Sequence, residues 1–160
     1  MNLASNAGEI VITAENPHSE VSVSLIAQLT AELSVRYGDD GGAGAFKPDD
    51  VLVPGGAFLV ARVAGRPVGC GAIRPLEPGV CEVKRMFVKP EARGKGVARR
   101  MLMELESAAR KLGYNSLRLE TGLMQPEAIS LYESASYHRV ACYGQYADNP
   151  LSVCFEKSLV

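Results

Sequence analysis

The sequence contains no tryptophan, only two histidines and only four cysteines. The histidines lie far apart with no third ligand close in sequence, so we predict no metal site. The cysteines form no C-x-x-C pair, and their spacing indicates neither a zinc site nor a disulfide framework. We therefore expect four reduced thiols, packed as small apolar groups in a cytoplasmic protein, at Cys70, Cys81, Cys142 and Cys154.

Long apolar runs and a large net charge are absent as well. The longest apolar runs, such as Ala57–Ala61, are far shorter than the roughly 20 residues of a membrane span. The N-terminus lacks the basic and apolar regions of a secretory signal, and we expect Met1–Gly8 to be disordered. With 47% hydrophobic and 22% charged residues, the chain is typical of a globular protein, and residues 9–160 are expected to form one domain.

The charge of −1 is unevenly distributed. Between Lys89 and Arg100, five cations stand against Glu91 alone, while the rest of the chain is acidic. A compact basic cluster favours one small anionic ligand over a nucleic acid, which requires a broader basic stripe with interleaved aromatic residues. We therefore predict no nucleic-acid partner and no membrane partner.

Hydrophobic periodicity predicts a mixed α+β fold. Helices are expected at Glu20–Tyr37, Gly96–Leu112 and Pro126–Ala135. Strands are expected at Glu9–Thr13, Ala57–Val63, Val68–Arg74, Val80–Val88, Asn115–Glu120, Tyr137–Tyr143 and Leu151–Lys157. The second to fourth of these strands are joined by short turns, which indicates an antiparallel meander. Gly38–Asp50, rich in glycine and aspartate, is expected to be a flexible loop that can include a helical turn.

A glycine-rich hexapeptide, Arg93–Ala98, lies between a predicted strand and a predicted long helix. The first N–H groups of a helix have no partners within the helix, and the helix dipole places partial positive charge there, so such a turn can bind an anion. Its glycines would let the backbone approach a phosphate closely, and Arg93 and Lys95 add charge. The spacing matches neither a Walker loop nor a dinucleotide fingerprint. The alternative is a solvated basic loop with incidental glycines.

With its flanks, the hexapeptide resembles the signature of the GNAT superfamily of N-acetyltransferases, Gln/Arg-x-x-Gly-x-Gly/Ala between a strand and a long helix. Arg93, Gly96 and Ala98 match this signature. The segment Glu82–Val88 resembles the fourth strand of the family, and Ala128–Glu133 resembles its second signature helix. The resemblance implies the GNAT acyl-CoA N-acyltransferase fold, a mostly antiparallel twisted sheet of about seven strands flanked by about four helices.

The resemblance also implies acetyl-CoA as the co-substrate. In the family, the amides of the turn hold the pyrophosphate of coenzyme A, and the preceding strand pairs with the pantetheine arm. The coenzyme-binding residues implied here are Met86, Phe87, Val88, Arg93, Gly94, Lys95, Gly96, Val97, Ala98, Arg99 and Gln125. Arg99 and its neighbour Arg100 could instead be solvated helix charges.

Two positions depart from the family pattern. Gln125 stands where the family often has asparagine; its amide can make the same hydrogen bonds with a longer reach. Ser136-Tyr137 stands where the family usually has Gly-Phe, which leaves the geometry of that turn open.

Acetyl transfer to an amine requires that the amine lose a proton, and a proton donor for the leaving thiolate helps. Glu82 matches the position of a glutamate that serves as the base in some family members; the alternative is an exposed carboxylate that pairs with Lys84 or Arg118. Tyr132 matches the helix tyrosine whose hydroxyl lies near the coenzyme sulfur; the alternative is a core tyrosine. Direct attack is expected, because no Cys–His pair indicates a covalent intermediate.

The acceptor is expected to be an amine on a small molecule or a protein. The acidic loop residues Asp39, Asp40, Asp49 and Asp50 lie where the family builds its acceptor pocket, so they either attract a cationic amine or are simply solvated. Because the family often dimerises, a homodimer is a further expectation. The competing hypothesis is an acyl-CoA-binding module without turnover, against which the presence of Glu82 and Tyr132 argues.

Overall fold

The structure is a computed structural model, and it describes residues 8–160. The segment Met1–Gly8, predicted to be disordered, therefore lies outside the described residues apart from Gly8. The strands are β1 (Ile10–Ala14), β2 (Ala57–Val63), β3 (Arg66–Glu77), β4 (Val80–Val88), β5 (Ser116–Gly122), β6 (His138–Val140) and β7 (Ser152–Ser158). The helices are α1 (Glu20–Tyr37), α2 (Val97–Lys111) and α3 (Pro126–Ser134).

These elements confirm the predicted mixed α+β fold. The seven strands form one open sheet in the order β1-β2-β3-β4-β5-β7-β6. The helix count differs from the expected four: the described residues contain three α-helices, and the remaining helical segments are single turns of 3-10 helix. None of the helices in residues 8–160 is both long enough and apolar enough to cross a membrane.

The predicted meander of β2, β3 and β4 is confirmed, since both strand pairs are antiparallel. The pair β4–β5 is parallel, and α2 supplies the crossover connection that a parallel pair requires. This pairing extends over three positions only, from Val80 opposite Ser116 to Glu82 opposite Arg118. Beyond Glu82 the two strands diverge, and a gap opens in the middle of the sheet.

A β-bulge lies in β4 beside this gap. Cys70 of β3 pairs with Phe87, while Ala72 pairs with Lys84, so Arg85 and Met86 together face the single residue Gly71. Arg85 takes the left-handed backbone conformation, with a φ of 53°. A bulge of this kind bends its strand and changes the direction of a side chain, and such bulges are common beside active sites.

The helices cover both faces of the sheet. On one face, Leu25 and Leu29 of α1 pack against the buried side chains of Phe58 and Phe87. On the other face, α2 places Met101, Leu102 and Leu105 in a larger cluster that also contains Tyr132 of α3, and all three are about 1% exposed or less. Apolar surface is buried on both faces of the sheet, and each Å² removed from water stabilises the fold by about 25 cal/mol. This burial is the main stabilising contribution to such a three-layer fold.

Most strand ends differ from the prediction by one or two residues, and the largest differences are in β3 and β6. β3 continues through Pro75, where the sequence indicated its end. The neighbour β2 stops pairing at Ile73, so no strand on that side needs the N–H group that proline lacks. β6 contains only three residues, because the chain leaves the sheet after Val140 and enters the loop before β7.

Cys142 and Cys154 form a disulfide, so the prediction of four reduced thiols is wrong for this pair. The antiparallel pairing of β6 and β7 places Val140 opposite Cys154, which brings the Cα atoms of the two cysteines to 5.1 Å, within disulfide range. Cys70 and Cys81 are free and buried, and burial raises the pKa of each thiol to about 12.

Replacing Cys142 with serine is expected to lower the free energy of unfolding by about 3 kcal/mol, because the bond closes a short loop and restricts the unfolded chain. Urea unfolding of wild type and Cys142→Ser without reductant measures the difference, and reduced wild type serves as the control that should match the variant. Alkylation of four thiols per chain in the unfolded, unreduced protein would contradict the bond.

Candidate active site

Two cavities open where β4 and β5 diverge. The turn-side cavity, of about 330 Å³, lies between α1, the end of β4, the Arg93–Ala98 turn and α3. The loop-side cavity, of about 360 Å³, lies between β4, β5, the loop after α1 and the segment before β7. Leu29, Met86, Gln125 and Tyr132 line both, so the two cavities adjoin.

The turn-side cavity gathers the residues that the sequence predicted for the coenzyme, with the exception of Lys95. Lys95 instead extends along the outside of the turn, with its Nζ 3.4 Å from the carbonyl oxygen of Glu91. The predicted residues that line the cavity are Met86, Phe87, Val88, Arg93, Gly94, Gly96, Val97, Ala98, Arg99 and Gln125.

The backbone of the turn presents unpaired donors. Gly94 and Gly96 have φ values of 77° and 85°, which glycine adopts without strain. Within the described part of the chain, no N–H group from Gly94 to Arg99 donates to a backbone carbonyl, and α2 has no side-chain N-cap. A β-carbon at Gly94 or Gly96 would meet no atom within 4 Å, so the space beside these two glycines is open. This geometry suits a phosphate group.

Arginine side chains hold the turn in place. Arg93 donates from Nε to the carbonyl oxygen of Val88 at 2.9 Å and from Nη2 to Glu32 of α1 at 2.7 Å. Arg99 donates to the hydroxyl of Ser134 at 2.6 Å and thereby connects α2 to α3. Both arginines line the cavity, so they add positive charge as well as rigidity.

Tyr132 lies at the junction of the two cavities. Its ring is held by an edge contact with Tyr137 and a tilted contact with Phe155, each at 5.8 Å between ring centroids. The hydroxyl has no hydrogen-bond partner among residues 8–160, and Tyr132 lines both cavities. Burial and, secondarily, the charge of Glu120 raise the pKa of Tyr132, so the phenol stays protonated at neutral pH.

The structure shows the local geometry at Gln125 and at Ser136, the two positions that depart from the family pattern. The hydroxyl of Tyr37 donates to Oε1 of Gln125 at 3.0 Å, which holds that amide at the edge of both cavities. Ser136 adopts a φ of 72°, the left-handed conformation that a glycine would take without strain. Ser136 therefore takes this conformation at the cost of local backbone strain.

Glu82 lies outside both cavities. Its side chain is 2% exposed; Oε1 accepts a hydrogen bond from Arg74 at 3.0 Å, and Oε2 accepts one from Tyr143 at 2.7 Å. The alternative of an exposed carboxylate paired with Lys84 or Arg118 is therefore wrong, since Glu82 is buried and pairs with Arg74. Its role as a base stays a prediction, and its contacts favour a structural role.

Glu120, which the sequence analysis missed, lines the loop-side cavity. It follows Leu119 on β5, accepts a hydrogen bond from the Ser152 hydroxyl at 2.8 Å, and contributes to the electrostatic environment of Tyr132. Burial raises the pKa of Glu120, while Ser152 and Lys84 partly offset this effect. The polar face of β5, where Arg118 and Glu120 alternate with buried leucines, was the available signal.

The four aspartates of the acidic loop lie in two different places. Asp39 and Asp40 line the loop-side cavity, but both accept hydrogen bonds from amides of their own loop, and those from Gly44 and Gly42 lower the pKa of Asp40. Asp49 and Asp50 lie elsewhere: Asp49 pairs with His18 at 2.6 Å, and Asp50 pairs with Arg74 at 2.9 Å. Residues 8–160 contain no cluster of three metal-ligating side chains.

Comparison with known proteins gives a consistent result. The model of the acetyltransferase (GNAT) family matches residues 26–137. An IAA acetyltransferase of Azospirillum brasilense is 39% identical over 151 residues, which cover 94% of this chain and 98% of the relative.

Solved structures share the fold. A Klebsiella pneumoniae structure assigned to the acyl-CoA N-acyltransferases is 34% identical, with a TM-score of 0.80 over 94% of this chain and 98% of that chain. A GNAT acetyltransferase of Elizabethkingia anophelis, solved with acetyl-CoA bound, has a TM-score of 0.70 over 96% of this chain and 99% of that chain. Because it is only 16% identical, this second likeness shows the fold alone.

Proposed function

The chain belongs to the GNAT family of acetyltransferases, and from that premise we propose that it transfers the acetyl group of acetyl-CoA to a primary amine by direct attack. The observation that carries the proposal is the position of Tyr132, which lines the turn-side and the loop-side cavity together. A thioester entering from one side and an amine entering from the other would meet beside its hydroxyl.

Acetyl-CoA fits the turn-side cavity. The open N–H groups from Gly94 to Arg99 match the pyrophosphate, whose negative charge the start of α2 also favours. Met86, Phe87 and Val88 line the cavity along β4, where no β5 strand covers the edge, so the amide-containing pantetheine arm can lie there. Arg93 and Arg99 supply positive charge around the phosphates.

Glu120 in the loop-side cavity and Tyr132 at the junction supply the acid–base groups for the reaction. Glu120 accepts a proton from the acceptor ammonium, and the free amine attacks the thioester carbonyl carbon. The tetrahedral intermediate collapses, the carbon–sulfur bond breaks, and Tyr132 donates a proton to the departing thiolate. The nitrogen loses its surplus proton to the Tyr132 phenolate, which restores the phenol, and Glu120 releases its proton to solvent. Glu120 takes this role in place of Glu82 because it lines the cavity, whereas both oxygens of Glu82 are already bonded.

The competing function is a module that binds acyl-CoA without turnover. It requires only the turn-side cavity, whereas the adjoining loop-side cavity with its raised-pKa carboxylate favours an enzyme. Release of the coenzyme A thiol from acetyl-CoA discriminates the enzyme from the binding module. It is measured with a broad panel of amines and, separately, with IAA, after which the Azospirillum brasilense relative is named. Thiol release that depends on an added acceptor supports transfer; its absence across the panel supports the binding module.

The acceptor on this proposal is an amine of a small molecule or a protein. A homodimer stays a prediction. The cytoplasm also stays the predicted location: the co-substrate fits it, whereas the Cys142–Cys154 bond is of a kind uncommon in a reducing compartment.

Gly96→Asp is expected to weaken acetyl-CoA binding tens-fold or more, because a carboxylate would stand in the open space before the turn amides and repel the pyrophosphate. Gly65→Asp is the matched control, since Gly65 also has a positive φ, of 78°, and open space, but lies in the β2–β3 turn. Calorimetry measures both affinities. Equal binding by two folded variants would exclude the turn as the phosphate site.

Tyr132→Phe is expected to lower kcat by roughly 10²–10⁴, the usual effect of losing general acid–base help. Acetyl-CoA affinity should change far less, because the hydroxyl acts mainly as charge develops on sulfur. The phenylalanine keeps the contacts with Tyr137 and Phe155, so thermal melts should coincide. A kcat within about threefold of wild type, with chemistry rate-limiting, would leave Tyr132 as a core residue only.

Glu120→Gln is expected to remove an acidic limb from the pH profile of kcat/KM. Since burial raises the pKa of Glu120 above its ordinary value of 4.5, wild type should lose activity as the pH falls through that raised pKa and the carboxylate becomes protonated. Protonation of the acceptor amine affects the pH profiles of wild type and variants equally, so a difference between the profiles reports on the enzyme. Glu82→Gln is the comparison: if it removes the limb and Glu120→Gln keeps it, Glu82 is the base.

A further inference from the structure

Arg85 is a buried cation at the wall of the loop-side cavity. Its side chain is 9% exposed, and none of the carboxylates in residues 8–160 forms an ion pair with it. Nη1 donates to the Thr30 hydroxyl at 3.3 Å and to the carbonyl oxygen of Gly41 at 3.2 Å, and Nη2 donates to the carbonyl oxygen of Gly42 at 3.4 Å. Nε is buried, and no atom of the described residues accepts a hydrogen bond from it.

This arrangement is unfavourable in two ways. A buried charge is costly unless it is paired, and an unpaired buried donor adds to that cost. Burial accordingly lowers the pKa of Arg85, although a guanidinium remains charged at neutral pH. The backbone of Arg85 is also strained, with its φ of 53° at the bulge. Strain and an unsatisfied charge in one residue of a cavity wall are typical of a binding site.

The residue next to Arg85 adds a second cation. Lys84 lines the same cavity, and its Nζ contacts the Tyr146 hydroxyl and forms no ion pair in the described part of the chain. The carboxylates of the cavity wall are otherwise engaged: Asp39 and Asp40 with loop amides, and Glu120 with the Ser152 hydroxyl. The wall therefore presents two cations on β4 that form no ion pair in residues 8–160. Glu120 on β5 and two aspartates of the loop, Asp39 and Asp40, lie in the same wall.

We propose that the acceptor carries a carboxylate as well as an amine, as an amino acid does. The carboxylate binds Arg85 and Lys84, and the amine faces Glu120 and Tyr132. A carboxylate can accept hydrogen bonds from the Lys84 ammonium and from the part of the Arg85 guanidinium that lines the cavity. It fits better than a phosphate, because three acidic side chains line the same cavity and would repel a dianion more strongly. This inference rests on the proposed acetyl transfer and specifies its substrate class.

Matched acceptors test the inference on the wild-type enzyme. Each amino acid of a panel is compared with its carboxamide and its decarboxylated amine, and phosphoethanolamine forms a separate arm. We expect kcat/KM to be roughly tenfold to a hundredfold higher for the amino acid, the range for a hydrogen-bonded charge pair. Equal kcat/KM values for an amino acid, its carboxamide and its decarboxylated amine would overturn the proposal. A higher kcat/KM for phosphoethanolamine would also overturn it, because the site would then bind a phosphate and not a carboxylate.

Variants then locate the preference. In Arg85→Gln and in Lys84→Met, the ratio between an amino acid and its decarboxylated amine should fall toward one. Lys111→Gln, which removes an exposed charge at the far end of α2, should keep the wild-type ratio. A wild-type ratio in both a folded Arg85→Gln and a folded Lys84→Met would overturn the assignment of the site.

A binding readout separates this inference from acetyl transfer itself. With coenzyme A present, the amino acid but not its decarboxylated amine should raise the melting temperature of wild type, and the rise should be absent in Arg85→Gln. If no amine is acetylated while this stabilisation is observed, the carboxylate site stands and the proposed function fails. If amines are acetylated without carboxylate-dependent stabilisation or preference, the proposed function stands and the carboxylate site is wrong.

Discussion

The divergence of β4 from β5 is the constraint on which the rest of the structure depends. The two strands are parallel, and their pairing ends at Glu82 and Arg118. Because backbone groups that leave a ladder need other partners, the separated edges create a slot that a chain rich in amide groups can occupy. Both cavities open from this slot, and Tyr132 reaches their junction because α3 packs beside the freed end of β5.

The bulge in β4 determines which side chains line the loop-side cavity. The extra residue opposite Gly71 gives Arg85 its strained backbone and brings it against Thr30 of α1 and the loop after α1, while Lys84 remains beside it in the same wall. A regular strand would send neighbouring side chains to opposite faces. The local irregularity thus concentrates positive charge in one cavity, across from the carboxylate of Glu120.

The sequence predicted the fold and the turn well, because both depend on local pattern. Hydrophobic periodicity located α1 and the meander, and the glycines of Arg93–Ala98 identified the open amides. Glu82 shows the limit of such reasoning: its position along β4 matched a family role, but the strand pairing placed Arg74 directly opposite it. A carboxylate beside a cross-strand arginine is paired and satisfied, and no spacing along one strand reveals that partner.

What the sequence by itself determined is therefore the order of elements, the glycine-rich turn before the long helix and the membership of the GNAT family. Tertiary structure alone decided that Cys142 meets Cys154, that Glu120 reaches the second cavity, and that Arg85 is buried and forms no ion pair within residues 8–160. The physical reason is the range of the interactions. Helix periods, turns and caps are set by residues a few positions apart, whereas burial and charge pairing depend on strand register across distant segments.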